Sequence, residues 1–302
     1  MTHPRSAFGA PPQGGATSGP AKPDPRRPLD VVGRVAAATL LAVLGACAAS
    51  SLPTVARTEV IWLGQSAFKI TTPGGKVIVT DPWLRTNPLT PSAYRQLDAF
   101  GRIDVLLLSH GHFDHSADAA ALAQQYNVPL RAPGDLNQTL ATLGVLPANL
   151  LPRLNKGGTI EPAPGIKVTA VRAEHSSIFV WRNPASNKDE THPGGEPVGW
   201  IIELENGFRI YHAGDTAAFG DMRLIGERFK PHLALVPIGG NFTMDPAEAA
   251  WAVKELLRPK AVIPMHYGTN PLARGTAKEF IDAMGSSPIR VIVAVPGQPI
   301  PF

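Results

Sequence analysis

LLLSHGHFDHSADA, residues 106–119, joins an apolar run to three histidines and an aspartate packed between positions 110 and 115. The whole chain of 302 residues has 9 histidines, so this stretch holds a third of them. An apolar run that stops abruptly reads as a buried strand, Val105–Leu108, entering a loop. In extended backbone His110 and His112 project to the same side, whereas the adjacent Asp114 and His115 point in different directions. One cation would struggle to use all four groups; two neighbouring cations would not. Imidazole and carboxylate donors without thiolate suit zinc first, with manganese or iron as alternatives. The competing reading, solvated loop histidines or helix caps, does not account for three at this spacing directly after an apolar strand.

Working outward, TEVIWLGQSAFKITTPGGKVIVTDPWL (58–84) has β-branched runs flanking a PGG turn and predicts a hairpin. A helix is expected over Ala93–Phe100 and another over Ala117–Tyr126, then a strand in VPLRAP and a helix near Leu136–Leu143. GIKVTAVRAEH alternates as a strand and ends on His175. IFVWRNPASNKDETHPGGEP is polar and turn-rich and reads as a loop. GWIIELENGFRIYHAGDT predicts a second hairpin around Glu205–Gly207, closed by Asp215. A strand HLALVPIGG, a helix Pro246–Leu257, a strand AVIPMH ending on His266, a helix Ala277–Met284 and a strand RVIVAV follow. Hairpins first and alternating strands and helices later predict an α/β architecture: sheets covered by helices in a single domain, 58–302. There is no internal repeat.

The front of the chain is different. Residues 1–33 are rich in Pro, Gly, Ser and Ala and are expected to be disordered. VAAATLLAVLGAC (35–47) then has the basic flank, short apolar core and small-residue end of an export signal. Leu44, Gly45 and Ala46 ahead of Cys47 look like a bacterial lipobox, so residues 1–47 are read as a leader lipidated at Cys47, and 48–57 as a linker. An ordinary cleaved signal, an uncleaved anchor and a chance apolar stretch are the alternatives; the run is short for a membrane span. The single cysteine excludes an intramolecular disulfide and a thiolate metal site. The formal net charge of +4 falls to +1 without the segment before Cys47, which argues against nucleic acid as a partner.

SHGHFDH (109–115) matches the H-x-H-x-D-H signature of the metallo-β-lactamase superfamily. WLGQSAFKI, VIVTDPWL, AEHSS, the segment from Tyr211 to Ala250 and VIPMHYGT follow in the order of that superfamily. Together they resemble its metal-dependent hydrolases related to the L-ascorbate-6-phosphate lactonases, over nearly all of the chain after Glu59. The resemblance implies a four-layer αβ/βα sandwich and a dinuclear site. His110, His112 and His175 would hold one metal; Asp114, His115 and His266 the other; and Asp215 would bridge them. Asp81 would orient a ligand histidine through a hydrogen bond, a role that His212 would share unless it is a packed group. His192 is expected to be exposed, His232 structural, and His3 belongs to the front segment. Two departures stand out: the family often has histidine where Gln65 stands, and its cytoplasmic members begin near the first hairpin.

Two cations held this way lower the pKa of a shared water toward neutrality, and the hydroxide attacks an acyl or phosphoryl centre. Asp114 or Asp215 would pass the proton. The expected function is hydrolysis of a small ester, lactone or phosphoester by an exported, membrane-anchored lipoprotein facing the periplasm or cell surface, or by a soluble exported form after signal cleavage. The first alternative is a phospholipid phosphodiesterase resembling the N-acyl-phosphatidylethanolamine phospholipases, with a lipid substrate at the bilayer. The second is a metal-binding lipoprotein without catalysis. Histidine at position 112 disfavours a flavin-coupled di-iron oxidoreductase, whose relatives usually carry a carboxylate there.

Overall fold

The computed structural model describes residues 57–302. The leader, the Cys47 lipobox and all but the end of the 48–57 linker lie outside them. Two seven-stranded sheets face each other. The first runs, strand by strand across the sheet, Pro299–Pro301, Glu59–Gly64, Ala67–Thr71, Val77–Thr80, Val105–Leu107, Leu130–Pro133 and Arg153–Leu154. The second runs Arg290–Val291, Ala261–Met265, Leu233–Pro237, Arg209–His212, Val198–Glu203, Ile166–Arg172 and Thr159–Ala163.

Strand alternation explains the layering. Val60, Trp62, Val105 and Leu107 point into a core shared with Val168, Trp200, Leu235 and Ile263 of the facing sheet. Their neighbours Ile61, Leu63, Leu106 and Leu108 point the other way, onto helices Ala119–Tyr126 and Gly134–Thr142. The second sheet packs its outer face on helices Met222–Phe229, Pro246–Leu257 and Ala277–Met284. These are the expected αβ/βα layers, and they explain the leucine run: a central strand covered on both faces has no position for a polar side chain. Among the described residues no helix is long and apolar enough to cross a membrane.

Helix ends follow local chemistry. Thr276 and Glu279 form a reciprocal capping box, and the Asp245 side chain accepts from the Glu248 backbone N–H, with Pro246 opening that helix. The second half of that helix, Ala252–Leu257, widens into π geometry.

Strands Arg153–Leu154 and Thr159–Ala163 and helix Met222–Phe229 were not expected, and three expected elements take another form. The segment read as a loop contains an antiparallel pair, Ile178–Asn183 with Lys188–Pro193, in register Trp181↔Glu190. Its polar composition concealed it, because both strands are largely open to solvent and Phe179 alone of the pair packs against a core cluster. The stretch Ala93–Phe100 forms two short 3₁₀ turns, Ser92–Arg95 and Leu97–Phe100. The final strand pairs only over Arg290–Val291, while Pro299–Pro301 adds to the edge of the first sheet beside Glu59–Ile61. Prolines are tolerated there because an edge strand needs only one hydrogen-bonding side.

Candidate metal centre

Both sheets have parallel central strands, and the chemistry collects beyond the carboxyl ends of those strands. Asp81 follows Val77–Thr80, His110 follows Val105–Leu107, Asp215 follows Arg209–His212 and His266 follows Ala261–Met265. The two sheets are tied at this end: Val198 N–H donates to Ser109 O at 3.0 Å, and His266 N–H donates to Gln65 O at 3.0 Å. After the strand, His112 precedes a single helical turn, Phe113–Ser116, which swings Asp114 and His115 back toward the centre. Gly111 lies against the 178–193 pair so closely that a Cβ would meet Ile178 O at 2.7 Å. The loop is held on both sides.

The seven expected ligands fall into two clusters whose donor atoms lie within 4.8 Å of one another: His110, His112 and His175; and Asp114, His115, Asp215 and His266. In the first, His112 Nδ1 is 2.9 Å from His110 Nε2 and 3.3 Å from His175 Nε2. In the second, Asp215 Oδ2 is 2.9 Å from His266 Nε2 and 3.2 Å from His115 Nε2, and Asp114 Oδ2 is 3.3 Å from His266 Nε2. Asp215 reaches toward the first cluster too, its Oδ2 lying 3.7 Å from His175 Nε2.

The surroundings aim these groups. Asp81 accepts from Ser109 N–H at 2.7 Å and Ser109 Oγ at 2.6 Å, and lies 2.8 Å from His115 Nδ1, so the His115 Nε2 atom faces the centre. His212 is fully buried but faces elsewhere: its ring meets Ser66 O and the Gly214 N–H. It braces the two loops that carry Gln65 and Asp215. Gln65 was not assigned from sequence. Its Nε2 donates to Asp114 Oδ2 at 2.7 Å, its Oε1 accepts from Thr269 Oγ1, and its backbone carbonyl takes the Trp62 indole N–H. The only sequence signal was its occurrence where relatives carry another imidazole. His192 is half-buried beside Glu190 on the outer strand pair, and His232 accepts from Arg209 N–H and stacks on Phe208.

Do these residues fit cations? His115 Nε2, His266 Nε2 and Asp215 Oδ1 are buried without a hydrogen bond in acceptable geometry. Each such atom costs about 1–3 kcal/mol, and the two imidazole nitrogens both face Asp215 across one small space. A divalent ion satisfies them together. Charge fits as well. Burial first, and then the other imidazoles, keeps His110 well below the usual histidine range; burial likewise lowers His112 and His175. All three offer neutral lone pairs. In the second cluster burial works against charge but loses: Asp215, Asp114 and Asp81 hold His115 well above its usual value, and Asp215 and Asp114 push His266 up to about 9. The same imidazoles keep Asp114 and Asp215 ionised against their own burial. A cation bound there would compete with the protons these imidazoles favour, so its binding would depend on pH.

Three of the eight non-glycine residues with positive φ among the described residues lie at this place. Gln65, Asp81 and His266 have φ of 51°, 41° and 59°. Such conformations persist where the surrounding structure enforces them.

A beta-lactamase superfamily domain model matches residues 76–267. A UPF0173 metal-dependent hydrolase of Polaromonas sp. strain JS666 is 63% identical over 270 residues, covering 87% of this chain and 99% of the relative. One from Rubrobacter xylanophilus is 46% identical over 223 residues, covering 74% of this chain and 87% of the relative. Among solved structures, Igni18, a metallo hydrolase from Ignicoccus hospitalis, matches with a TM-score of 0.68 at 32% identity, over 82% of this chain and 98% of that one. The matched span contains the histidine loop and every cluster residue through His266, and on this agreement the chain belongs to the metallo-β-lactamase superfamily as one of its metal-dependent hydrolases.

Proposed function

We propose that the centre takes two divalent cations, zinc first, and that the chain hydrolyses a small ester, lactone or phosphoester. One observation carries the reading: two donor clusters meet at Asp215 on the floor of a single cavity of about 530 Å³, which also includes Gln65, Trp83, Phe113, Ser176 and Thr269 in its lining. When bound, such ions supply Lewis acidity to the attacked oxygen and acidify a water. His110, His112 and His175 would hold one ion and Asp114, His115 and His266 the other, with Asp215 between them. Asp114 is the group placed to take a proton from the attacking water and return it to the leaving group. Its Oδ2 is held by Gln65, and its side chain is 17% exposed, on the cavity side. Asp81 keeps the imidazole of His115 turned inward. Trp83 and Phe113, edge to face with centroids 5.5 Å apart, shield one side from solvent.

Metal analysis of the purified protein is expected to give about two equivalents per chain, with chelation abolishing hydrolysis and zinc restoring it. Hydrolysis that survives complete chelation would overturn the reading. Export and lipidation at Cys47 are further proposals that rest on the leader sequence. Membrane fractionation and mass spectrometry of the mature N-terminus test them; a soluble cytoplasmic chain with an unmodified cysteine would end both.

A further inference from the structure

The cavity above the clusters has a definite chemical character. Its lining combines apolar side chains, from Trp83, Phe113, Phe242 and Pro271, with neutral hydrogen-bonding groups, from Gln65, Ser176, Thr269 and Asn270. Among the described residues that line it, the only carboxylates belong to Asp114 and Asp215, and there is no lysine or arginine. The nearest cations lie outside this lining. Arg85 pairs with Asp118; Lys156 and Arg172 line an adjoining hollow at His175, where they pair with Glu196 and with Glu174 and Asp221; and Arg274 lines a separate hollow with Asp245 and Glu279.

Two of the apolar wall residues are conspicuous for their exposure. Phe113 is 65% and Phe242 44% solvent-exposed. Apolar surface left open at the mouth of a polar centre is surface for a ligand to cover.

Resting on the hydrolase reading above, we propose that the substrate is an uncharged carboxylic ester or lactone whose apolar body lies against Trp83, Phe113 and Phe242. A phosphate on that body would leave water without a counter-charge to receive it. Phosphoryl-transfer sites supplement their ions with Arg or Lys clamps for the charge spread over the phosphoryl oxygens; this wall supplies amide and hydroxyl groups instead. In the step proposed, the oxygen of water bonds to the carbonyl carbon and the bond from that carbon to the alcohol oxygen breaks. The proton taken from water ends on the departing alkoxide, giving an acid and an alcohol with no change in oxidation state. For a lactone both groups remain in one molecule.

The test uses the full, metal-loaded chain and matched pairs of probes: an alkyl lactone and the same lactone bearing a phosphate on its side chain, and 4-nitrophenyl octanoate with bis(4-nitrophenyl) phosphate. The neutral member of each pair is expected to lead in kcat/KM by at least about 100-fold. Phe242→Ala should raise KM for the neutral lactone about tenfold with little change in kcat, and Phe242→Lys should narrow the preference over the phosphorylated lactone by about tenfold. A non-hydrolysed pair, an alkyl ketone and its phosphate-bearing counterpart, measured by calorimetry, reads the wall without turnover; the neutral ketone should bind at least about tenfold tighter. Equal or better turnover of either phosphorus compound overturns the proposal and leaves the hydrolase reading standing. If fully loaded protein turns over none of the probes, the hydrolase reading falls, and the ketone pair alone then upholds or overturns the assignment of an uncharged apolar ligand.

Discussion

The two ends of the sandwich are built from the same strands by opposite rules. At the end away from the metal centre, the turns after Thr71, Ala163 and Leu204 place Gly75, Gly165 and Gly207 at φ of 74°, 77° and 77°, where glycine is unstrained. Glu205 there accepts from Thr72 Oγ1 and Lys76 Nζ, both at 2.8 Å, clipping one sheet to the other. At the ligand end, Gln65, Asp81 and His266 are held left-handed with side chains that carry chemistry, and buried polar atoms lack hydrogen bonds. Lys230 and Arg258, which end helices at the far end, are also left-handed, at φ of 45° and 50°, so the ends differ in what such residues do: chain reversal at one, chemistry at the other.

The contrast breaks most visibly at Asp215. Asp215→Ala removes the one carboxylate that both clusters approach, so kcat/KM should drop by at least about 10³, about 4 kcal/mol, with loss of bound metal on elemental analysis. A variant that keeps its bound metal and its rate would erase the distinction between the ends. Asp81→Asn comes next. It replaces the acceptor that fixes the His115 ring, and metal affinity measured by chelator competition should weaken about 10–100-fold. Gln65 sharpens the argument about strain. Gln65→Ala and Gln65→Gly both release Asp114 and should lower kcat about tenfold, yet the glycine variant should unfold at higher denaturant, by about 1 kcal/mol, reversing the usual order of these residues. Equal stabilities would mean that the loop is not strained.

The smallest effect belongs to the far end. Burial alone would raise the Glu205 carboxyl, but hydrogen bonds from Lys76 and Thr72 outweigh it and leave the group below its usual value. A depressed carboxyl stabilises the fold above the unfolded-state pKa, and that contribution is lost as pH falls through the folded value. Glu205→Gln should therefore cost less than about 1 kcal/mol at pH 7, little or nothing in strong acid, and leave turnover unchanged.

Much of the ligand end was legible because its residues follow strands that announce themselves. Leu106–Leu108, the apolar start of AVIPMH and the alternation into His175 each mark a rigid edge from which a side chain can project. Gln65 was not legible as a contact of Asp114: a glutamine in a turn carries no periodic signal, and its partner is 49 positions away. The strand pair 178–193 was missed because strands that cover little core, here only through Phe179, need not alternate in hydrophobicity. Pro299–Pro301 was missed because proline argues against a strand unless the edge is known. Phe113 and Phe242 declare themselves only by exposure, which no one-dimensional pattern records.

That outlying strand pair has an evolutionary corollary. It joins neither seven-stranded sheet, is secured at its base where Ser177 Oγ donates to Gly194 O at 2.9 Å, and begins two residues after Ser176, which faces the cavity. Lengthening, shortening or exchanging its tip would unpick no layer of the sandwich. Descendants of one ancestral centre can thus diversify their diet by remodelling this appendage, while the histidines beneath it stay untouched.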